Sequence, residues 1–369
     1  MNQKATSDFS QSQARAIVAD LFEPRPWIYW IDLTLSYGLG IVFFAVCVRL
    51  SLSILANPFP NALLYAICFA SAGLCLYRSV IFIHELVHLR PTGRLLSFRF
   101  AWNLMCGIPL LVPSFTYFPH IEHHRRTHFG TDQDGEYLPL ARESRWKMFL
   151  FVGGALFVPL LAIVRFGLLT PLAWLIPGVR PFVHKHASSL VMDPSYIRPL
   201  PSKQIRRIIW LQEFCCFAWC VAAAIFGCMC WGSELCRACI LNGYAIAVFI
   251  VALNNLRTLG AHRWHNDGSE MTIEQQLLDS VNYPHFAWIS ELWGPVGLRF
   301  HALHHLFPSM PYHSLPTAHR RLMEQLPKDS IYRQTVEPSL VSRVTSLWSR
   351  KRDADTDGGQ RFESKNQMS

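Results

Sequence analysis

Four apolar stretches, each about as long as a bilayer is thick, set the strongest constraint on this chain: residues 32–54, 62–83, 208–231 and 235–256. A helix needs roughly 20 apolar residues to cross the hydrocarbon core, and runs of that length exceed the strands and core helices of ordinary soluble domains. The rest of the composition points the same way, because 51% of the 369 residues are hydrophobic and only 16% are charged. The expected fold is an all-α membrane protein with about four transmembrane helices.

The turns inside the two pairs, LANPFPNA at 55–62 and WGSEL at 231–235, contain no lysine or arginine. Lys203, Arg206 and Arg207 stand just before the third span, and eight basic residues lie between 89 and 147. Basic loops stay in the cytoplasm, so this multi-pass protein is expected to place both termini and its large polar loops on that side. A net charge of +9 raises the question of nucleic acid, but the basic residues are scattered between apolar segments and form no stripe, so no nucleic-acid partner is expected. Most of the eleven cysteines sit inside apolar runs and read as buried free thiols; Cys236-x-x-Cys239 is half a zinc knuckle with no second half.

The first 25 residues lack the apolar core of a cleavable signal peptide, so insertion depends on the internal spans. The chain divides into a cytosolic N-terminal segment (1–30), a membrane domain (31–326) and a C-terminal segment (327–369), whose charged end is expected to be disordered from about residue 349.

Sixteen histidines carry the chemistry, and their grouping is the sharpest signal. His84 and His88 form HELVH. His120, His123 and His124 form HIEHH, with His128 four residues on. His301, His304 and His305 form HALHH. Spacings of three and four bring side chains to one side of a helix. Neutral imidazole is the commonest side-chain ligand of transition metals, and a single zinc site uses about three protein ligands, so eight or nine point to two ions. No thiolate set accompanies them, which disfavours an iron–sulfur cluster. A ninth ligand is expected just after the fourth span, His262 with His265 in reserve.

Two more apolar stretches, 101–118 with Pro109 and Pro113, and 148–176 with Pro159, Arg165 and Pro171, complicate the topology. A single crossing by either would strand one histidine group from the others. Both are therefore expected to be re-entrant or interfacial helices, returning to the side they left.

HELVH by itself matches the H-E-x-x-H signature of zinc metalloproteases, with Glu85 as general base, but that reading leaves six box histidines without work. His184, His186, His285, His313 and His319 fall outside the boxes and read as structural. His128 lies on the helical face of the second box, but the box is complete without it, so it reads as a residue outside the site, with a ligand or a neighbour of one as the alternative. Asp132, Asp134 and Glu136 are either carboxylates that orient ligands or a solvated acidic turn.

The order and spacing of HELVH, HIEHH and HALHHLFP (301–308), together with the four-span layout over residues 30–326, resemble the integral-membrane fatty acid desaturases. The resemblance implies a helical membrane domain under a cytosolic cap that carries the histidine boxes and a di-iron centre. Its ligands would be His84, His88, His120, His123, His124, His301, His304 and His305, with His262 matching the histidine ahead of the third box. Glu85 would then lie beside a ligand, hydrogen-bonded rather than acting as a base. The implied reaction uses dioxygen to introduce a double bond into a fatty acyl chain, presented as a lipid or an acyl thioester and entering from the surrounding membrane lipid. Electrons would come from a separate ferredoxin- or cytochrome-like donor. Glu85 in the first box is closer to the membrane alkane hydroxylases, and RTLGAH at 257–262 resembles the ketolase and hydroxylase branches. Hydroxylation or ketolation of a lipid, alkane or carotenoid is therefore the alternative outcome.

Overall fold

In the computed structural model, residues 10–53, 58–89 and 93–350 are described. They are predominantly helical; the only β features among them are three isolated bridges. The tail beyond residue 350, expected to be disordered, lies outside the described residues.

A short helix α1 (Gln11–Ile17), capped by the Ser10 side chain, leads into the hairpin of α2 (Pro26–Ser53) and α3 (Pro58–His88). Then come α4 (Arg94–Trp102), a π-turn over Asn103–Gly107, and α5 (His120–His123). Four short helices follow: α6 (Arg145–Gly153), α7 (Val158–Ile163), α8 (Thr170–Leu175) and α9 (Val179–His186). The second long hairpin is α10 (Lys203–Met229) and α11 (Glu234–Leu259), each started by a serine side chain, Ser202 and Ser233, that accepts a backbone N–H of the first turn. The rest is a cap of α12 (Ile273–Asp279), α13 (Ala287–Trp293), α14 (His301–Leu306), α15 (Leu315–Gln325) and α16 (Leu340–Ser349).

Among the described residues, five helical stretches are long and apolar enough to cross a bilayer: α2, Asn61–His88 of α3, Val158–Leu175, α10 and α11. Many of their large apolar side chains point outward, Leu35, Val42, Leu161, Leu211 and Phe226 among them, as lipid contact requires. Where α3 meets α11 the Phe249 ring packs onto Gly73 and leaves no room for a side chain there: a Cβ would stand 2.4 Å from the ring.

Val158–Leu175 is a fifth stretch of that length, where four spans and a re-entrant or interfacial segment over 148–176 are expected from sequence. Met148 and Met192 belong to one core with Phe129, Leu259 and Trp264, and the backbone N–H groups of Met192 and Asp193 both donate to the Gly135 carbonyl. The run between them leaves that core and comes back to it. Its one buried charge, Arg165 in the π-turn Val164–Leu169, is met by Thr170, Ser188, the Ala187 carbonyl and Glu213 of α10 at 2.5 Å, so the run is strapped to α10 from inside. The stretch from Arg94 to Phe118 closes in the same way: Leu89, Leu95 and Phe98 share one core, and the His120 ring lies 5.1 Å from the ring of His88. Ala14 and Val18 pack against Leu303, Leu306 and Phe307, so the N-terminal helix lies on the same side as the third box.

Candidate metal centre

Each histidine box reaches the centre from a helix end. His84 and His88 occupy the last two turns of α3; His120 and His123 lie in α5, with His124 as its C-cap; His301, His304 and His305 lie in α14. His262 follows the end of α11 by three residues and is held by a bridge to Ser280.

The nine imidazoles sort into two clusters. His84, His88, His120, His124 and His304 form one; His123, His262, His301 and His305 form the other; within each, one nitrogen per residue lies within 4.8 Å of all the rest. The partition follows helical geometry. Pairs spaced by four residues (84 and 88, 120 and 124, 301 and 305) each serve one cluster. The remaining members of the second and third boxes, His123 and His304, cross over to the opposite cluster.

Several Nε2 atoms face one another at short range: His120 and His124 at 2.9 Å, His124 and His304 at 3.1 Å, His88 and His304 at 3.2 Å, His262 and His301 at 2.9 Å, His301 and His305 at 3.1 Å. Two imidazole nitrogens at right angles around an ion about 2.1 Å away stand about 3 Å apart. Three ligands have carboxylates on the other ring nitrogen. Glu136 lies 2.9 Å from His120 Nδ1, Asp134 2.8 Å from His123 Nδ1 and Asp279 3.4 Å from His262 Nδ1. A carboxylate keeps the proton on Nδ1, so the Nε2 atoms of His120, His123 and His262 present lone pairs toward their clusters, the form that binds a metal. Both nitrogens of His84 are buried without any hydrogen-bond partner, as are the Nδ1 atoms of His124, His301 and His304. The donor set fits two metal ions.

Burial, followed by the neighbouring imidazoles, holds His120, His124, His301, His304 and His305 well below the ordinary histidine range. They are neutral at physiological pH, the state that binds a metal. Burial alone would raise the Asp134 carboxyl, but His123 and the N–H groups of Gly130 and Glu136 outweigh it and keep the group ionised. Glu136, more desolvated and beside Asp134, is pushed up to about 7.

The sequence pattern of the fatty acid desaturase family matches residues 60–336. The chain belongs to the fatty acid desaturase family. A ceramide hydroxylase from Caulobacter vibrioides is 39% identical over 356 residues, covering 96% of this chain and 97% of that protein. No solved structure matches it.

With the chain placed among the desaturases and hydroxylases, the other candidates fall into position. Glu85, in the first box of this family member, is buried and turned away from both clusters: it accepts the Tyr29 hydroxyl at 2.7 Å and the Tyr312 backbone N–H at 3.3 Å. It ties the first-box helix to α2 and to the chain that follows the third box. Tyr312 then donates to Asp32, which holds Arg78 through two contacts of 2.6 Å. His265 belongs to neither cluster; its Nε2 lies 2.5 Å from an Arg350 nitrogen. His128 is likewise outside, with Nδ1 2.8 Å from the Glu122 carboxylate. Asp132 is exposed, in contrast to Asp134 and Glu136. His184 lies against the Pro199 carbonyl, His313 accepts the Arg25 N–H, His319 meets the Tyr332 hydroxyl, and His186 and His285 are exposed.

Sequence reasoning missed Asp279 and Tyr117. Asp279 also accepts the Tyr137 hydroxyl and the His265 N–H, and Tyr117 stacks on the His120 ring at 4.7 Å. Asp279 stands at no motif spacing from His262, so no local signal marks it, whereas Tyr117 precedes His120 by three residues, the one spacing that could have pointed to it.

Proposed function

We propose that this protein is a membrane-bound, dioxygen-dependent hydroxylase of ceramide or a closely similar lipid, working at a di-iron centre ligated by the nine clustered histidines. The end-to-end similarity to a ceramide hydroxylase carries this reading. It shifts the preference from the double-bond chemistry that the box pattern first suggests to the alternative, the hydroxylase branch that Glu85 and RTLGAH at 257–262 resemble.

The overall change is RH + O2 + 2 e− + 2 H+ → ROH + H2O. Two irons, when bound, would supply the activation of dioxygen that no side chain can provide. The residues do the remaining work. The histidines hold the centre at the membrane-facing ends of α3 and α11, where a lipid slides in from the bilayer with its head at the interface. Glu136, Asp134 and Asp279 fix the tautomer and direction of three ligands. Burial of the ligands excludes bulk water from the reacting carbon. Electrons would come from a separate donor protein, on the cytoplasmic face that the positive-inside tendency favours for the basic loops.

Expression in a host that makes ceramides, followed by mass spectrometry of its lipids, tests the reading. A ceramide heavier by one oxygen atom supports it. A product lighter by two hydrogen atoms would instead establish desaturation on the same site, and an unchanged lipid profile with metal-loaded protein would remove ceramide as the substrate.

A further inference from the structure

His84, His120, His123, His262, His301 and His304 are buried, so a lipid reaches the two clusters only when part of the protein moves. The approach is laid out along α3. Residues three and four apart share a helix face, and the face that carries His84 and His88 runs back through Ile81 to Tyr77, about 10 Å before His84 along the axis. The Tyr77 side chain is buried under α13: its hydroxyl donates to the Trp293 carbonyl at 3.1 Å. The Trp293 ring meets Tyr283 edge-on at 4.9 Å. One turn further from the ligands, the Phe249 ring on Gly73 closes α3 against α11. α13 packs on both helices, and on α3 it does so between that contact and the ligands.

The outer side of α13 is apolar. Phe286 at its start and Trp288, Ile289 and Leu292 within it are exposed, a pattern that suits the plane where a bilayer begins. α2 marks the same level with exposed Trp27 and Ile31 beside Asp32, the partner of Arg78. Both ends of α13 are strained: Phe286 has φ 47° and Val296 φ 52°, left-handed values that a bulky or β-branched residue adopts only when its surroundings force it. On the inner side Glu291 is the fastening, 3.1 Å from Arg78 of α3 and 2.8 Å from Arg299. Neither arginine depends on it. Arg78 keeps both oxygens of Asp32 at 2.6 Å, and Arg299 keeps the carbonyls of Tyr283 at 3.1 Å and Pro284 at 3.4 Å. Departure of Glu291, whose side chain is 34% exposed, therefore leaves no buried cation alone.

We infer that α13 is the gate through which the substrate enters from the bilayer. It swings away from α3 about Phe286 and Val296, breaks the two Glu291 ion pairs and the Tyr77–Trp293 hydrogen bond, and uncovers Tyr77 as the start of the path along α3 to His84. That a membrane lipid is what enters rests on the proposed reaction; the gate itself rests on the packing of α13.

Thiol accessibility tests the gate without turnover. Tyr77→Cys, in metal-loaded protein without native cysteines in phosphatidylcholine vesicles, is reacted with N-ethylmaleimide. Adding Glu291→Ala, which removes two partly exposed ion pairs, should speed the reaction roughly 3- to 10-fold. Cys216, buried in the separate core of Phe115 and Phe166 and kept as the single native thiol, should react at the same rate with and without Glu291→Ala. An unchanged rate at residue 77, or equal acceleration at both thiols, overturns the gate. Should Tyr77→Cys fail to fold, Ile81→Cys carries the same comparison with the Tyr77 hydrogen bond intact. The second arm reads product. Bridging Arg78→Cys to Glu291→Cys with a phenylene bismaleimide should stop the oxidation of lipid that the unbridged double variant performs, with metal content unchanged; undiminished product under the bridge overturns the gate. If wild type oxidises no ceramide, the ceramide reading fails, and the maleimide rates, which need no substrate, still decide this one.

Discussion

Oδ2 of Asp134 lies 2.8 Å from Nδ1 of His123 and accepts the Gly130 backbone N–H at 2.9 Å through the same atom. The carboxylate is thus fixed by its own turn before it fixes the histidine, and His123 is the residue of HIEHH that crosses to the second cluster. Asp134→Asn should weaken metal retention roughly 10- to 100-fold, the usual effect of losing a ligand's hydrogen-bond partner. Competition with a chelator, followed by elemental analysis, measures it. Retention equal to wild type would show that the contact does no orienting.

His304 Nε2 sits 3.2 Å from that of His88 and 3.1 Å from that of His124, near the middle of the five-histidine cluster. His304→Ala should abolish product and lower metal content while the protein still inserts. His265→Ala should keep both product and metal, because its Nε2 meets Arg350 instead. If the two variants behave alike, the assignment of the clusters is wrong.

Purified wild-type protein should contain close to two irons per chain, one for each cluster. About one zinc with no iron would sink the di-iron centre and revive the protease-like alternative for HELVH.

Glu85 offers a sharper test of that alternative. Its carboxyl is spent on Tyr29 and the Tyr312 N–H, so Glu85→Gln, which keeps an acceptor oxygen, should leave turnover close to wild type. Glu85→Ala leaves the buried Tyr29 hydroxyl without its acceptor and should cost about 1–3 kcal/mol, read as a lower melting temperature in detergent. Complete loss of activity in the glutamine variant, with metal retained, would mean that the carboxyl acts in the chemistry.

The return of residues 149–191 to the core they left has a topological consequence. Single cysteines at Thr127, Ser195 and Asp329, in a background without native cysteines, should all react with an impermeant thiol reagent from one face of the membrane, the cytoplasmic one. A cysteine at Ser233, in the α10–α11 turn, should react only from the other. Labelling of Thr127 and Ser195 from opposite faces would mean that the segment between them crosses.

What the sequence determined by itself is what depends on neighbours along the chain. The long apolar runs are spans because every backbone polar group in lipid must be satisfied within its own helix, and four residues bring His84 to His88, His120 to His124 and His301 to His305 because a helix repeats every 3.6. All nine histidines of the two clusters were legible in this way, through spacing or through family resemblance. Tertiary structure decided the rest. Nothing local says that His123 and His304 trade clusters, because that depends on how α5 and α14 face each other across the centre. Nothing local separates His262 from His265 either; the bridge to Ser280 turns one inward, while the other reaches Arg350. Asp279 and Tyr29 acquire their roles only from partners distant in sequence, where close approach is set by packing and burial raises the cost of leaving a polar atom alone.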